Sequence, residues 1–215
     1  MKRVAFAVAA LLAMGLFLFG CDGKSVSNGG DDDESALLGC VISVEGGPRS
    51  SIDDPADCLP DDIPDDVDQF VIEAAKAFLR AYIGRYIDQN GDYVDINCEP
   101  DGYWEFPDAR SAEICWETGE CPICPFEWTI PVSVEPKSES SPRGSGYMYW
   151  SYTGEFDLED PTELPLPAMG FSASEEDIYS GDWDRTPDGR PRCTVYVESE
   201  DGGFQPTGDI WTKEE

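Results

Sequence analysis

The chain has 215 residues and no histidine, and its 45 acidic against 14 basic side chains give a formal net charge of -31 at pH 7. The missing histidine removes the commonest general base and the commonest protein metal ligand. The negative charge repels phosphate backbones and anionic lipid headgroups, so we expect no nucleic-acid partner and no membrane binding through a basic patch.

The first residues have the pattern of an export signal. Lys2 and Arg3 precede an unbroken run of apolar or small residues over positions 4–19, and Cys21 follows at the end of the run. A positive start, an apolar run and a cleavage point are typical of a signal peptide. The run is shorter than the roughly 20 apolar residues that a membrane-spanning helix needs.

Residues 1–21 resemble the signal of a bacterial lipoprotein. Leu18 and Gly20 stand three residues and one residue before Cys21, as in a lipobox, whereas Phe19 departs from the small residue usual there. The resemblance implies a lipid on the Cys21 thiol, cleavage before Cys21, and a lipid-anchored protein of the bacterial cell envelope, facing the periplasm or the cell surface. An uncut membrane anchor and a secretory peptide whose Cys21 joins a disulfide remain as alternatives.

The chain after the signal divides into a tether and a folded part. Residues 22–39 are rich in Gly, Ser and Asp and show no hydrophobic periodicity, which is typical of a solvated linker. We therefore expect a signal peptide at 1–20, a lipidated cysteine with a flexible acidic tether at 21–39, and a single cysteine-rich domain at 40–215.

One amphipathic helix is predicted after Pro64. Asp66 is placed to cap its first N–H groups, and Gln69 three residues later completes a capping box. Apolar residues then recur with the spacing of one helix face over about five turns. These residues are Val67, Phe70, Val71, Ala74, Phe78, Leu79, Tyr82, Ile83 and Tyr86.

The next stretch is the strongest metal candidate. Asp88, Asn90, Asp92 and Glu99 occupy positions one, three, five and twelve of a calcium loop that follows a helix. Tyr93 stands where such a loop needs glycine. The competing interpretation is a β-hairpin with a turn at Asn90–Gly91. Calcium, bound weakly, is thus the one candidate cofactor.

The cysteines indicate disulfides, because thiols outside the cytosol are normally oxidised. With Cys21 lipidated, an odd number of candidates remains, which predicts three bridges and one thiol that is free, modified or joined to another chain. The candidates are Cys40, Cys58, Cys98, Cys115, Cys121, Cys124 and Cys193. An unlipidated Cys21 allows four bridges instead. Cys121 and Cys124 also have redox-dithiol spacing, but Pro125 argues against the helix start that would activate a thiol there.

The second half of the chain reads as β-structure. Strands are predicted at 127–135, 147–153, 193–197 and 209–212, with Pro131 at an edge or bulge. Tyr147, Tyr149 and Trp150 are either core residues or an exposed stacking platform for sugars. The predicted fold class is α+β, with one amphipathic helix packed on a small antiparallel sheet, loop-rich and braced by disulfides.

These patterns favour a non-enzymatic, membrane-anchored exported lipoprotein, an acidic binding or structural module for an unknown protein or glycan partner. The first alternative is a weak calcium-binding surface module. A hydrolase built on paired carboxylates, which need a separation of about 5 to 10 Å, and a thiol oxidoreductase at Cys121 and Cys124 are further alternatives.

Overall fold

The computed structural model of the chain describes residues 41–47, 53–108, 126–152 and 156–214. These residues contain ten β-strands, one α-helix and a short 3₁₀ helix at Pro55–Cys58. The strands and the helix are β1 (Val41–Glu45), α1 (Gln69–Tyr82), β2 (Gly84–Ile87), β3 (Tyr93–Cys98), β4 (Tyr103–Pro107), β5 (Phe126–Pro136), β6 (Gly144–Tyr152), β7 (Ala168–Ser172), β8 (Ile178–Arg185), β9 (Pro191–Glu198) and β10 (Phe204–Lys213).

Eight of these strands form a closed antiparallel barrel. Their order is β5-β3-β2-β10-β9-β8-β7-β6, and pairing of β6 with β5 closes the ring. The remaining strands, β1 and β4, pair with each other outside the barrel, and β4 joins β5 where Glu105 lies opposite Thr129. The predicted α+β fold class is therefore wrong, because the domain is mostly β and its single helix is an accessory to a barrel.

The barrel interior is filled by large side chains. Trp128, Trp150, Trp183 and Trp211 lie on four different barrel strands and all are buried. Gly181 on β8 shows how tight the packing is, since a Cβ there would lie 2.7 Å from the Cys193 Sγ atom and 2.9 Å from the Met169 Cε atom. An eight-stranded barrel is just wide enough for side chains to fill. Around Gly181 the side chains leave no space for even one additional methyl group.

The helix is shorter than predicted at both ends. Its N-cap is Asp68, whose carboxylate accepts a hydrogen bond from the Phe70 N–H at 2.7 Å, rather than Asp66. It ends at Tyr82, because Gly84 adopts φ +132°, a conformation that interrupts a helix and that glycine reaches without strain. Tyr86 is buried as predicted, but as an inward-facing residue of β2 rather than of the helix.

Helix α1 covers one end of the barrel. The Phe78 ring lies 5.1 Å from that of Trp128 and 4.9 Å from that of Trp150, centroid to centroid. Both indoles point into the barrel, while the opposite helix face carries exposed Gln69, so the helix lies across the barrel mouth. Among the described residues, no helix has the length and apolar character needed to cross a membrane.

Pro131 lies inside β5, at the point where this strand changes neighbours. Before it, Thr129 pairs with β4, and after it, Val132 pairs with β3. The Pro131 carbonyl accepts a hydrogen bond at 2.9 Å from the Glu99 N–H, which belongs to the connection between β3 and β4. The N–H that proline lacks therefore falls at a gap in the ladder, as a proline within a sheet requires.

Candidate binding face

The calcium candidates Asp88, Asn90 and Asp92 lie in the turn of the hairpin formed by β2 and β3. One oxygen of the buried Asp88 carboxylate accepts the N–H groups of Asn90 at 2.7 Å and Asp92 at 2.9 Å. Gly91 adopts φ +86°. The hairpin interpretation is therefore confirmed, and the Asp88 carboxylate holds the turn together.

Glu99, the fourth calcium candidate, lies beyond the far end of β3. This strand has six residues, which corresponds to about 20 Å, so Glu99 is remote from Asp88. Its carboxylate accepts a hydrogen bond from the Ser145 hydroxyl at 2.8 Å instead. In the part of the chain that the structure describes, no group of three or more Cys, Asp and Glu side chains is arranged to hold a metal ion. The four candidates do not form one site.

The disulfide prediction is confirmed for one pair. Cys58 in the 3₁₀ helix is bonded to Cys98 at the end of β3, which ties the segment before α1 to the barrel. Cys193 is a free thiol buried inside the barrel, and burial raises its pKa well above the ordinary value. The other predicted cysteines lie outside the described residues: Cys21, Cys40, Cys115, Cys121 and Cys124.

The aromatic residues of β6 divide between the two faces of the strand. Trp150 points inward and is 1% exposed, so it belongs to the core. Tyr147 and Tyr149 point outward, with ring centroids 6.1 Å apart, and Tyr149 is 44% exposed. Small residues lie beside them on β7, where Gly170 is opposite Tyr147 and Ala168 is opposite Tyr149. The two rings therefore project beyond the small neighbouring residues on the outer surface of the barrel.

Two glutamates border these rings. Glu105 on β4 lies opposite Thr129 on β5, which in turn lies opposite Tyr149. The Thr129 hydroxyl donates a hydrogen bond of 2.8 Å to the Glu105 carboxylate and so fixes its position. Glu127 precedes Thr129 by two residues on the same outward side. We call this group, namely Glu105, Glu127, Thr129, Tyr147 and Tyr149, the tyrosine–glutamate face.

The electrostatic potential of the tyrosine–glutamate face is negative. Partial burial, followed by the charge of Glu105, raises the pKa of Glu127. Burial, the neighbouring Tyr147 and then Glu105 raise the pKa of Tyr149. Among the described residues, no basic side chain lies over either tyrosine ring, and neither glutamate forms an ion pair. Within the described ranges, these two carboxylates have no compensating cation.

A second tyrosine on the outer surface has the opposite surroundings. Tyr93 on β3 has the Arg85 guanidinium 4.8 Å and the Lys137 ammonium 5.3 Å from its ring centroid. Arg85 also forms a two-pronged ion pair with Asp95, with N–O distances of 2.7 and 3.1 Å. We call these four residues the Tyr93 face. Its aromatic ring and its carboxylate are already supplied with cations by the same chain.

A cavity of about 580 Å³ lies between α1 and the segment that follows β6. Apolar residues such as Ala77, Leu158 and Leu164 line it, together with Lys213. The Lys213 ammonium donates hydrogen bonds of 2.6 to 3.0 Å to three carbonyls at the end of α1. Burial lowers the pKa of Lys213 to about 8. Because all three donors are used, this lysine caps the helix and offers little to a ligand.

The sequence predicted that Tyr147 and Tyr149 are either core residues or part of an exposed stacking platform. It gave no indication of Glu105 or Glu127 as neighbours of these tyrosines. The available signal was alternation along 126–152, where outward Glu127, Thr129 and Tyr149 separate inward core residues. Glu105 carries no such signal, because its position depends on pairing of β4 with β5. Comparison of the chain with family models, with curated proteins and with solved structures finds no match.

Proposed function

We propose that this protein is a non-enzymatic, lipid-anchored binding module of the bacterial cell envelope, and that it binds its partner through the tyrosine–glutamate face. The observation that carries the proposal is this face itself. It joins two outward tyrosine rings to two carboxylates, and these groups have no cationic partner among the described residues. Exposed aromatic rings beside fixed polar groups are typical of binding surfaces.

The filled barrel supports an external rather than an internal ligand site. Barrels of eight strands either pack their interior with side chains or hold one small ligand. Here the buried indoles, together with the close contacts around Gly181, occupy the interior, and α1 covers one mouth. A partner therefore has the outer surface available, where the tyrosine–glutamate face lies.

Cysteine parity supports the lipid anchor. The chain has eight cysteines, and Cys193 is free and buried. If Cys21 joined a disulfide, an odd number of the remaining cysteines would be left to pair. If Cys21 carries lipid, the six others pair completely, and Cys58–Cys98 is one of the three bridges. The odd thiol of the sequence prediction is then Cys193.

The experiment that tests the proposed function is an intact-mass measurement on protein extracted from membranes and alkylated before and after reduction. We expect a chain that begins at Cys21 and carries acyl chains, with one thiol that becomes accessible only on unfolding. Several acyl chains are needed for stable attachment, because a single chain holds a protein only marginally. Cys21→Ala is the matched variant, and it should leave the protein uncleaved and without lipid.

A soluble, unlipidated protein whose Cys21 is in a disulfide would contradict the anchor. Retention of residues 1–20 would indicate an uncut membrane segment instead. In either case the barrel and its outer face would be unaffected, so binding by the tyrosine–glutamate face is tested separately below.

A second candidate function is favoured by the raised pKa of Glu127. Glu105 and Glu127 occupy diagonal positions on neighbouring strands, whose Cα atoms are typically about 7 to 8 Å apart. This backbone spacing allows the two carboxyl groups to reach the separation used by glycoside hydrolases. In this alternative Glu127 is the general acid and Glu105 the carboxylate that activates water. Release of reducing ends from a panel of polysaccharides, abolished by Glu127→Gln, would establish it. No release from any substrate supports the binding module.

A further inference from the structure

We propose that the partner of the tyrosine–glutamate face is a basic protein segment, which places an arginine or lysine side chain over Tyr149 and between Glu105 and Glu127. This inference rests on the proposed binding function and adds the chemical class of the ligand.

The chain itself shows which ligand such a surface takes. Five basic side chains in the described residues form ion pairs with Asp or Glu, and two further cations lie close to aromatic rings as Lys137 and Arg185. On the Tyr93 face, ring and carboxylate are both saturated by Arg85 and Lys137. Within the part of the chain that the structure describes, the tyrosine–glutamate face has the same two kinds of group without the cations, so we assign that role to a partner.

Charge complementarity favours a cation over a neutral sugar. Burial and then the charge of Glu105 raise the pKa of Glu127, so a positive group between the two side chains stabilises their charged forms. A saccharide can stack on Tyr149 and donate hydroxyl groups, but it leaves both negative charges uncompensated. The net charge of -31 also accelerates the approach of a basic partner from a distance.

The geometry suits a guanidinium or ammonium group. Thr129 holds the Glu105 carboxylate through a hydrogen bond of 2.8 Å, so one anionic group is already oriented before binding. Thr129 lies between Glu105 and Tyr149 in the strand register, and directly opposed residues on neighbouring strands have Cβ atoms about 4.5 to 5.5 Å apart. A cation above Thr129 therefore lies beside both the carboxylate and the tyrosine, and cation–π attraction acts over roughly 6 Å from the ring centroid.

The test is a binding titration of the full-length protein in detergent with a soluble Gly-Ser peptide that carries several arginines. The comparison peptide has each arginine replaced by glutamine, and a neutral oligosaccharide series is titrated in parallel. We expect the arginine peptide to bind, the glutamine peptide to bind at least about tenfold more weakly, and added salt to weaken the complex.

Matched variants locate the site. Glu105→Gln with Glu127→Gln should weaken arginine-peptide binding about tenfold, whereas Glu175→Gln with Glu176→Gln, which removes the same charge from an exposed turn, should change it less than about twofold. Tyr149→Leu should weaken binding about threefold and Tyr149→Phe should restore it, because phenylalanine keeps the ring face that attracts a cation. Tyr93→Leu is the control for loss of an outer tyrosine.

Equal effects of the two glutamate double variants would overturn the inference, since they would mean that only the net charge attracts the peptide. Binding of a neutral oligosaccharide that Tyr149→Leu abolishes and the glutamate variants spare would also overturn it and assign the face to a glycan. Either result leaves the membrane anchor untouched, while a normal peptide result with an unlipidated protein would contradict the anchor alone.

Discussion

The Tyr93 face and the tyrosine–glutamate face contain the same kinds of aromatic and acidic group and differ in the cations beside them. Each presents a tyrosine on the outside of the barrel next to a carboxylate. On the Tyr93 face, Arg85 and Lys137 lie 4.8 and 5.3 Å from the ring, while Tyr149 has no such neighbour among the described residues. An outward tyrosine of this strongly acidic chain thus need not have a cation from its own chain beside it, and our proposal assigns that role at Tyr149 to a partner.

The largest expected effect is on peptide binding, and it comes from giving the tyrosine–glutamate face a cation of its own, as the Tyr93 face has. Thr129→Lys places an ammonium group between Glu105 and Tyr149, and so supplies internally the cation that the partner would bring. Binding of the arginine peptide should fall by more than about tenfold, with folding stability changed by less than about 1 kcal/mol. The titration described above, repeated with this variant, measures it.

Thr129→Val is the control for this substitution. It removes the hydrogen bond to Glu105 but adds no charge, so binding should weaken only about twofold to threefold. If Thr129→Lys binds the peptide as well as the parent protein, the peptide does not occupy this face.

Removal of the cations from the Tyr93 face has an intermediate expected effect, on folding stability and on peptide binding. Arg85→Ala with Lys137→Ala removes the ion pair to Asp95 and both cations from the Tyr93 ring. We expect a lower free energy of unfolding, measured by urea denaturation, because the exposed ion pair and the two exposed cation–π contacts each contribute a small stabilisation. The exposed ring and free Asp95 should also create a second, weak site for the arginine peptide.

Arg192→Ala tests whether a freed carboxylate binds the peptide without an adjacent tyrosine ring. It frees Asp184 from an ion pair with an N–O distance of 2.7 Å, and no contact of this pair with an aromatic ring occurs in the described residues. A second peptide site in Arg192→Ala as well as in the double variant would show that free carboxylates suffice and that tyrosine adds nothing.

The smallest expected effect is on stability at the tyrosine–glutamate face. Because the pKa of Glu127 is raised by folding, the folded state holds this proton more tightly than the unfolded state. The resulting stabilisation is present at low pH and is lost as the pH rises through the folded pKa. Glu127→Gln should therefore be more stable than the parent protein at pH 7, by about 0.5 kcal/mol.

Measurement of the stability difference between Glu127→Gln and the parent protein as a function of pH checks this prediction. The advantage of Glu127→Gln should disappear as the pH falls below about 4.3, where the unfolded carboxyl is also protonated. Glu175→Gln, on an exposed turn, is the control variant. A destabilised Glu127→Gln variant at pH 7 would mean that the carboxylate is held by a favourable contact rather than by repulsion.

Local chemistry allowed parts of the fold to be predicted from the sequence. Asn90–Gly91 fixes its turn through neighbouring residues alone, and the alternation of β6 with Met148 and Trp150 inward is strong. The predicted helix end is wrong because Ile83 and Tyr86 continue the apolar spacing by coincidence, whereas Gly84 ends the helix.

Strand β8 shows why the barrel itself was not predicted. Its inward positions include Gly181, a residue that signals no strand and that is small because Cys193 and Met169 fill the space around it. Its outward positions carry Asp182 and Asp184, so the segment reads as an acidic connection. Pairing with its sequence neighbours β7 and β9 makes it a strand, although its own residues carry no strand pattern.

The candidate face was hidden for the same reason. Glu105, Thr129 and Tyr149 come together because three strands from separate parts of the sequence are neighbours. In a chain with 45 acidic residues, a single glutamate carries no information. The tyrosines were recognisable as an alternative to core packing, whereas their carboxylate neighbours required the topology.

The most direct test of the account is an NMR titration of the Glu127 carboxyl carbon in the free protein and in the protein saturated with the arginine peptide. The account predicts a raised pKa in the free protein that falls when the peptide binds, because a cation beside Glu127 stabilises the carboxylate. An unchanged Glu127 pKa in the presence of bound peptide would place the partner elsewhere and contradict the central claim.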